Sequence, residues 1–230
     1  MSGDHLPPGE SGDRTAFLGR IRRRTAAAPP PNLAHPPPAP LTGPPPIARS
    51  VLLDADDLVG SFCRNALEIK AGVHRVTSAE ELAAVVDAVV ARLGVRRAVA
   101  SKQPEAWAVV ERLTAAGVDV QPLSRDASAA ADLGVTVATA AIATTGTVVQ
   151  RSDVVGGRTA SLLPPVHLCL VPASCIVANS ADVLRRLGDE PLPSNVVLIT
   201  GPSRSADIEQ IIAMGVHGPV AVELVVLEHD

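Results

Sequence analysis

The chain is predicted to be α/β, a mostly parallel sheet covered by helices, with a β-hairpin insertion. Three observations carry this expectation. Short apolar segments alternate with helical patterns between residues 73 and 122, a rhythm that yields parallel strands joined by right-handed crossovers. Between residues 136 and 171 the rhythm gives way to two long strand-like regions, which mark the insertion. Apolar residues make up 47% of the 230 residues and aromatics 1%, so a core of single-domain size must be built from Val, Leu, Ile and Ala.

The elements follow in order. Asp13–Thr25 is basic, with Arg14, Arg20, Arg22, Arg23 and Arg24. Ala16, Phe17 and Ile21 share a helical face there, but so short a helix needs a docking surface. It reads either as a solvated tail or as a helix that docks on a partner subunit. Pro29–Pro46 is Pro-rich, and proline's fixed φ and missing donor exclude both helix and ladder strand. The expected organisation is therefore an N-terminal segment 1–50, a basic helix with a disordered Pro-rich linker, followed by a folded domain 51–230.

A helix is expected over Asp54–Ala71 and a strand over Val73–Val76. Ser78 and Glu81 form a capping box that opens a helix ending at Gly94. Arg97–Ala100 is a strand, Pro104 opens a helix, Gly117 follows its end, and Val118–Pro122 is a strand. Thr136–Arg151 and Leu162–Val171 are the strand-like regions, flanking a turn-rich loop over Ser152–Arg158, and suggest a wide hairpin. Pro164-Pro165 places a bend inside the second. Asn179–Leu187 reads as a helix and Asn195–Thr200 as a strand. A tight loop over Gly201–Ser205 then leads into a helix over Ala206–Met214, and Val220–Leu227 is the last strand.

The residues exclude several chemistries. With a net charge of −4 and almost no aromatics, neither the basic face nor the stacking platform of a nucleic-acid binder is present. Cys63, Cys169 and Cys175 form no CxxC pair and cannot supply the four ligands of an iron–sulfur cluster. They read as reduced thiols of a cytoplasmic protein. No metal-ligand spacing links His74, His167, His217 and His229, so no metal is expected. Leu133–Val149 is too short and too rich in threonine to span a bilayer. Met1–Glu10 is polar and carries no secretory signal. Phosphate-loop, dinucleotide and nucleophile-elbow motifs are absent.

Two segments could bind a ligand. Gly201, Ser203, Arg204 and Asp207 lie where a strand would meet a helix N-terminus, whose free N–H groups suit a carboxylate or phosphate. The alternative is simple capping by Ser203 or Ser205, and Asp207 competes with a bound anion. The second segment is Thr144-Thr145-Gly146-Thr147. Glycine in a strand marks a bulge or close approach and the hydroxyls can donate, although threonine also favours ordinary strands. His167, in an apolar strand, and His217 could act as acid and base only if the fold joins them. Catalytic residues are otherwise unassigned.

Three blocks carry a resemblance. They are A-A-I-A-T-T-G-T-V-V over Ala140–Val149, S-L-L-P-P-V-H-L-C-L-V over Ser161–Val171, and I-T-G-P-S-R-S-A-D-I-E-Q-I-I-A-M-G-V-H-G-P over Ile199–Pro219. Together they resemble the LUD domain of the lactate utilisation protein C family. The resemblance implies a Rossmann-like domain similar to the sugar-phosphate isomerase and CoA-transferase superfamily. It implies an accessory role in oxidising L-lactate to pyruvate, beside partner subunits that carry the iron–sulfur clusters, with no cofactor in this chain. A small organic acid or a phosphate-containing ligand would bind near Thr145, Gly146, Thr147, His167, Gly201, Ser203, Arg204, Asp207 and His217. The family usually reads A-E-T-G-T where this chain reads A-T-T-G-T, so Thr144 stands in place of a glutamate. Threonine cannot replace a carboxylate base or nucleophile at neutral pH. Two other functions stay open: a stand-alone enzyme on an acyl or phosphorylated substrate, and a scaffold without a ligand.

Overall fold

The computed structural model describes residues 53–189, 191–206, 212–214 and 218–228, together with Gly19, Arg22 and Arg23. The basic segment, apart from those three residues, and the Pro-rich segment lie outside the described residues.

The helices begin and end where local chemistry dictates. Helix α1 (Leu58–Glu68) starts at Asp57, whose carboxylate accepts the Gly60 N–H at 2.7 Å. Strand β1 (Gly72–Val76) follows, then α2 (Ala79–Leu93). The Ser78 hydroxyl caps α2 by accepting the Glu81 N–H at 3.2 Å, and Gly94 closes it in the left-handed region. After β2 (Arg97–Ala100), Pro104 opens a short 3-10 turn that runs into α3 (Trp107–Ala115). Strand β3 (Asp119–Gln121), α4 (Arg125–Ala130) and β4 (Leu133–Val137) complete the first half.

The chain then leaves the main sheet. Strand β5 (Ala140–Ile142) turns back as β6 (Thr147–Arg151), and two single-turn helices follow, α5 (Ser152–Val155) and α6 (Thr159–Leu162). Strand β7 (Val166–Pro172) returns to the main sheet. Next come β8 (Ile176–Val177), α7 (Ser180–Gly188), β9 (Val196–Ile199), β10 (Arg204–Ala206), β11 (Ile212–Met214) and β12 (Ala221–Leu227).

Six strands form one sheet in the order β1-β12-β7-β4-β2-β3, and every pairing in it is parallel. A second sheet has the order β8-β5-β6-β9 with mixed pairing, and β10 pairs antiparallel with β11. The main sheet is buried on both faces, so its central strands read as nearly unbroken apolar runs. On one face Val135, Leu168, Leu170 and Val225 pack with Val86 of α2 and Leu113 of α3. On the other, Cys169, Val171, Leu224 and Val226 meet Ala141 and Val148 of the second sheet and Phe62 and Ala66 of α1. Helix α7 covers the far side of the second sheet through Val183, Ile142 and Val149. Burial of each such Val or Leu side chain contributes about 1.5–3 kcal/mol.

The fold class is thus α/β with a mostly parallel sheet, as the sequence predicts, but several elements differ. The hairpin lies within residues 140–151, between β5 and β6, rather than between two long strands. The first strand-like region is cut because the chain crosses between sheets: Ala138 N–H still bonds Leu170 O in the main sheet, while Thr139 N–H bonds Val149 O in the second. In the second region Leu162 ends α6 and Pro164-Pro165 separate it from β7. The expected loop over Ser152–Arg158 contains α5. The expected helix over Ala206–Met214 is replaced at both ends by strands β10 and β11, with Ser205 opposite Ala213. The Ser203 N–H bonds Pro219 O at 2.8 Å, which brings the two ends of this segment together. A nine-residue helix would hold its ends about 13 Å apart.

Candidate functional site

The turn between β5 and β6 packs against the last turn of α1. Gly146 makes this possible: it has φ +63°, and an added Cβ would lie 2.3 Å from the Ala66 backbone nitrogen. Asn65, buried on α1, fixes the approach by donating from its side-chain amide to Ala143 O at 2.7 Å. Gly201, with φ +77°, makes a second close approach, since a Cβ there would sit 2.7 Å from Ile69 O. No side chain larger than hydrogen fits at either point without displacing backbone.

These approaches align three hydroxyls. Thr145 Oγ1 lies 2.7 Å from Thr147 Oγ1, which lies 2.9 Å from Thr200 Oγ1. Thr147 is buried at the centre, and Thr145 and Thr200 are exposed on either side of it. The row can donate and accept hydrogen bonds but carries no charge. The carbonyl end of α1 faces it and opposes a negative ligand, so a carboxylate bound here needs a cation.

Thr145, Gly146, Thr147 and Gly201, singled out in the sequence, therefore come together. Ser203 lies two residues beyond Gly201, tied to Pro219, and Arg204 stands opposite Met214 in the β10–β11 ladder. That ladder removes the expected helix N-terminus as the source of an anion cradle. Asp207 and His217 lie outside the described residues. Thr144 donates its backbone N–H to Ala178 O at 3.1 Å, and its side chain is half-buried. Asn65 and Thr200 also belong to the site and were missed. The signal for Thr200 was its place at a strand end before a glycine, whereas Asn65 has no local signal because its partner is 78 residues away.

His167 is separate from the row. Its side chain lies between the two sheets, fully buried, with Nε2 2.8 Å from Thr136 Oγ1 and 3.4 Å from Gln150 Nε2. Its Nδ1 and the Gln150 Oε1 have no protein partner among the described residues. Gln150 is three residues along β6 from Thr147, so strand alternation turns it to the opposite face. Burial pushes the His167 pKa down to about 4, leaving the ring neutral at physiological pH. Burial also pushes the thiols of Cys169 and Cys175 up to about 11 and about 12, so both stay protonated. His74, isolated in the sequence, is bonded to Glu223 Oε2 at 2.9 Å, and Arg92 reaches Glu223 Oε1 at 2.8 Å. Burial raises the Glu223 pKa, but the bonds from His74 and Arg92 outweigh it and hold the carboxyl below its usual range. Among the described residues no cluster of three His, Cys, Asp or Glu is placed to hold a metal ion, and no helix is long and apolar enough to cross a membrane.

A six-stranded parallel sheet backed by helices, with a smaller sheet whose turn carries a hydroxyl row, defines an α/β domain of one recognisable class. The LUD domain family model matches residues 59–227, and the chain belongs to that family. It is 44% identical over 112 residues to a protein of an Exiguobacterium species named "Lactate utilization protein C", an alignment covering 46% of this chain and 48% of that protein. A protein of the same name from Halalkalibacterium halodurans is 42% identical over 103 residues, covering 43% of this chain and 45% of its own length. The chain thus spans about half the length of the curated relatives it matches. A crystal structure of a DUF162 family protein from Deinococcus radiodurans superposes with a TM-score of 0.56 at 23% identity, covering 76% of this chain and 99% of that one. That likeness supports the fold.

Proposed function

We propose that this chain is an accessory component of L-lactate utilisation, the oxidation of lactate to pyruvate, working in the cytoplasm beside partner subunits that carry the iron–sulfur clusters. The observation that carries the reading is the 44% identity over 112 residues to a protein named for lactate utilisation. The absence of any CxxC pair in the sequence is consistent with this division of labour.

Within that role the hydroxyl row binds a small organic acid or a phosphate-bearing ligand. Thr145, Thr147 and Thr200 supply hydrogen bonds. Arg204, four residues past Thr200, is the residue proposed to supply the cation that the carbonyl end of α1 makes necessary, because its planar fork matches a carboxylate. Thr144, where the family has glutamate, offers no carboxylate for proton transfer, which favours binding over turnover by this chain. Titration calorimetry with lactate and pyruvate tests the site. Arg204→Ala should weaken binding about ten-fold or more without unfolding the domain. An unchanged dissociation constant would remove Arg204 from the site.

A further inference from the structure

The connections of the main sheet reverse direction between β2 and β4. From β2 the chain passes through α3 to β3 on one side, and from β4 it passes through the second sheet to β7 on the other. In open α/β sheets the crevice outside the carboxyl ends of two such strands is where ligands bind. Gln103 bridges that crevice. Its Oε1 accepts from the Ser101 hydroxyl at 3.0 Å, beyond β2, and from the Val137 N–H at 3.2 Å, at the end of β4. These two bonds fix the amide's orientation and leave both Nε2 hydrogens without a partner among the described residues.

The crevice opens into a cleft of about 430 Å³ whose walls come from β6 and α7. This lies within the range of small-molecule sites, about 300–1,000 Å³. Val149 and Val183 give it an apolar floor. Arg151 lines one side, held by Asp153 at 2.9 Å and by Pro191 O at 3.3 Å. Arg186 lines the other, exposed, its guanidinium without a hydrogen bond or ion pair among the described residues. No carboxylate is among the described residues that line the cleft. An amide with two unused donors, an unneutralised guanidinium and an apolar floor suit one kind of molecule.

We infer that this cleft binds a small ligand with an oxyanion head on a short apolar body, the head held by Arg186 and the Gln103 amide and the body lying on Val149 and Val183. This goes beyond the lactate reading and does not depend on it, because the cleft shares no residue with the hydroxyl row. The head is a carboxylate or a phosphate, which present the same acceptors to a guanidinium.

The test is titration calorimetry of the full chain with hexanoate, hexyl phosphate and 1-hexanol, repeated on Arg186→Ala. At least one anion is expected to bind, the variant to bind it about ten-fold or more weakly, and 1-hexanol to bind both proteins equally and more weakly than that anion. Preference for hexanoate identifies a carboxylate ligand, and preference for hexyl phosphate a phosphorylated one. Arg186 is exposed, so the variant's melting temperature without ligand should match wild type and a lost affinity reports the site. Failure of both anions to bind, equal binding by the variant, or 1-hexanol binding as tightly as either anion would overturn the inference.

Discussion

His167 sits in the middle of the main sheet, where a charged imidazolium would have no solvent to stabilise it. Burial holds its pKa near about 4 in the folded chain. Unfolding restores the ordinary value of about 6.5, so the unfolded state binds an extra proton between the two values. The contribution of neutral His167 is therefore full above about pH 6.5 and is lost progressively as pH falls towards about 4, by up to about 3 kcal/mol. Urea unfolding between those pH values should show this slope, and His167→Leu should make it much shallower while lowering stability at neutral pH through loss of the Thr136 bond. Equal slopes for both proteins would mean that His167 is not held neutral by the fold. The sequence already placed His167 in an apolar strand. It could not show that Gln150, 17 residues earlier, turns away from Thr147 and so takes the histidine out of the hydroxyl row.

At the scale of elements, those with local signals were legible. Ser78 with Glu81, Gly94, Pro104, Gly117 and Asn179 each fixed a boundary, because caps and breakers act within a few residues. The segment after Gly201 was not legible. The sequence reads as a tight loop followed by a helix over Ala206–Met214, whereas the structure pairs Arg204–Ala206 with Ile212–Met214. Tertiary pairing here overrides propensity, which is a weak prior for so short a stretch. Carbon chemical shifts should therefore be strand-like at Ile212–Met214, with cross-strand contacts between Ser205 and Ala213. Helical shifts with contacts three residues apart across 206–214 would restore the helix. The turn at Gly146 was legible only in part: a glycine there marked a bulge or close approach, but its partner, Ala66, lies 80 residues earlier and leaves no local signal.

The described domain joins its two larger sheets around a shared core, and each candidate binding region lies where strands end. Gln103 and Arg186 are separated by most of the second sheet in sequence, and each alone reads as an ordinary surface residue. Only the strand order β7-β4-β2-β3 places them at one crevice. The proposed role in lactate utilisation involves partner subunits, so it is tested on the intact system. The most direct measurement is affinity purification of the tagged full chain from its own cells grown on L-lactate, with the co-purified proteins identified and their iron measured. Co-purification with iron–sulfur proteins in lactate-grown cells is the predicted result. Recovery of the chain alone, without iron, from cells actively oxidising lactate would contradict the account.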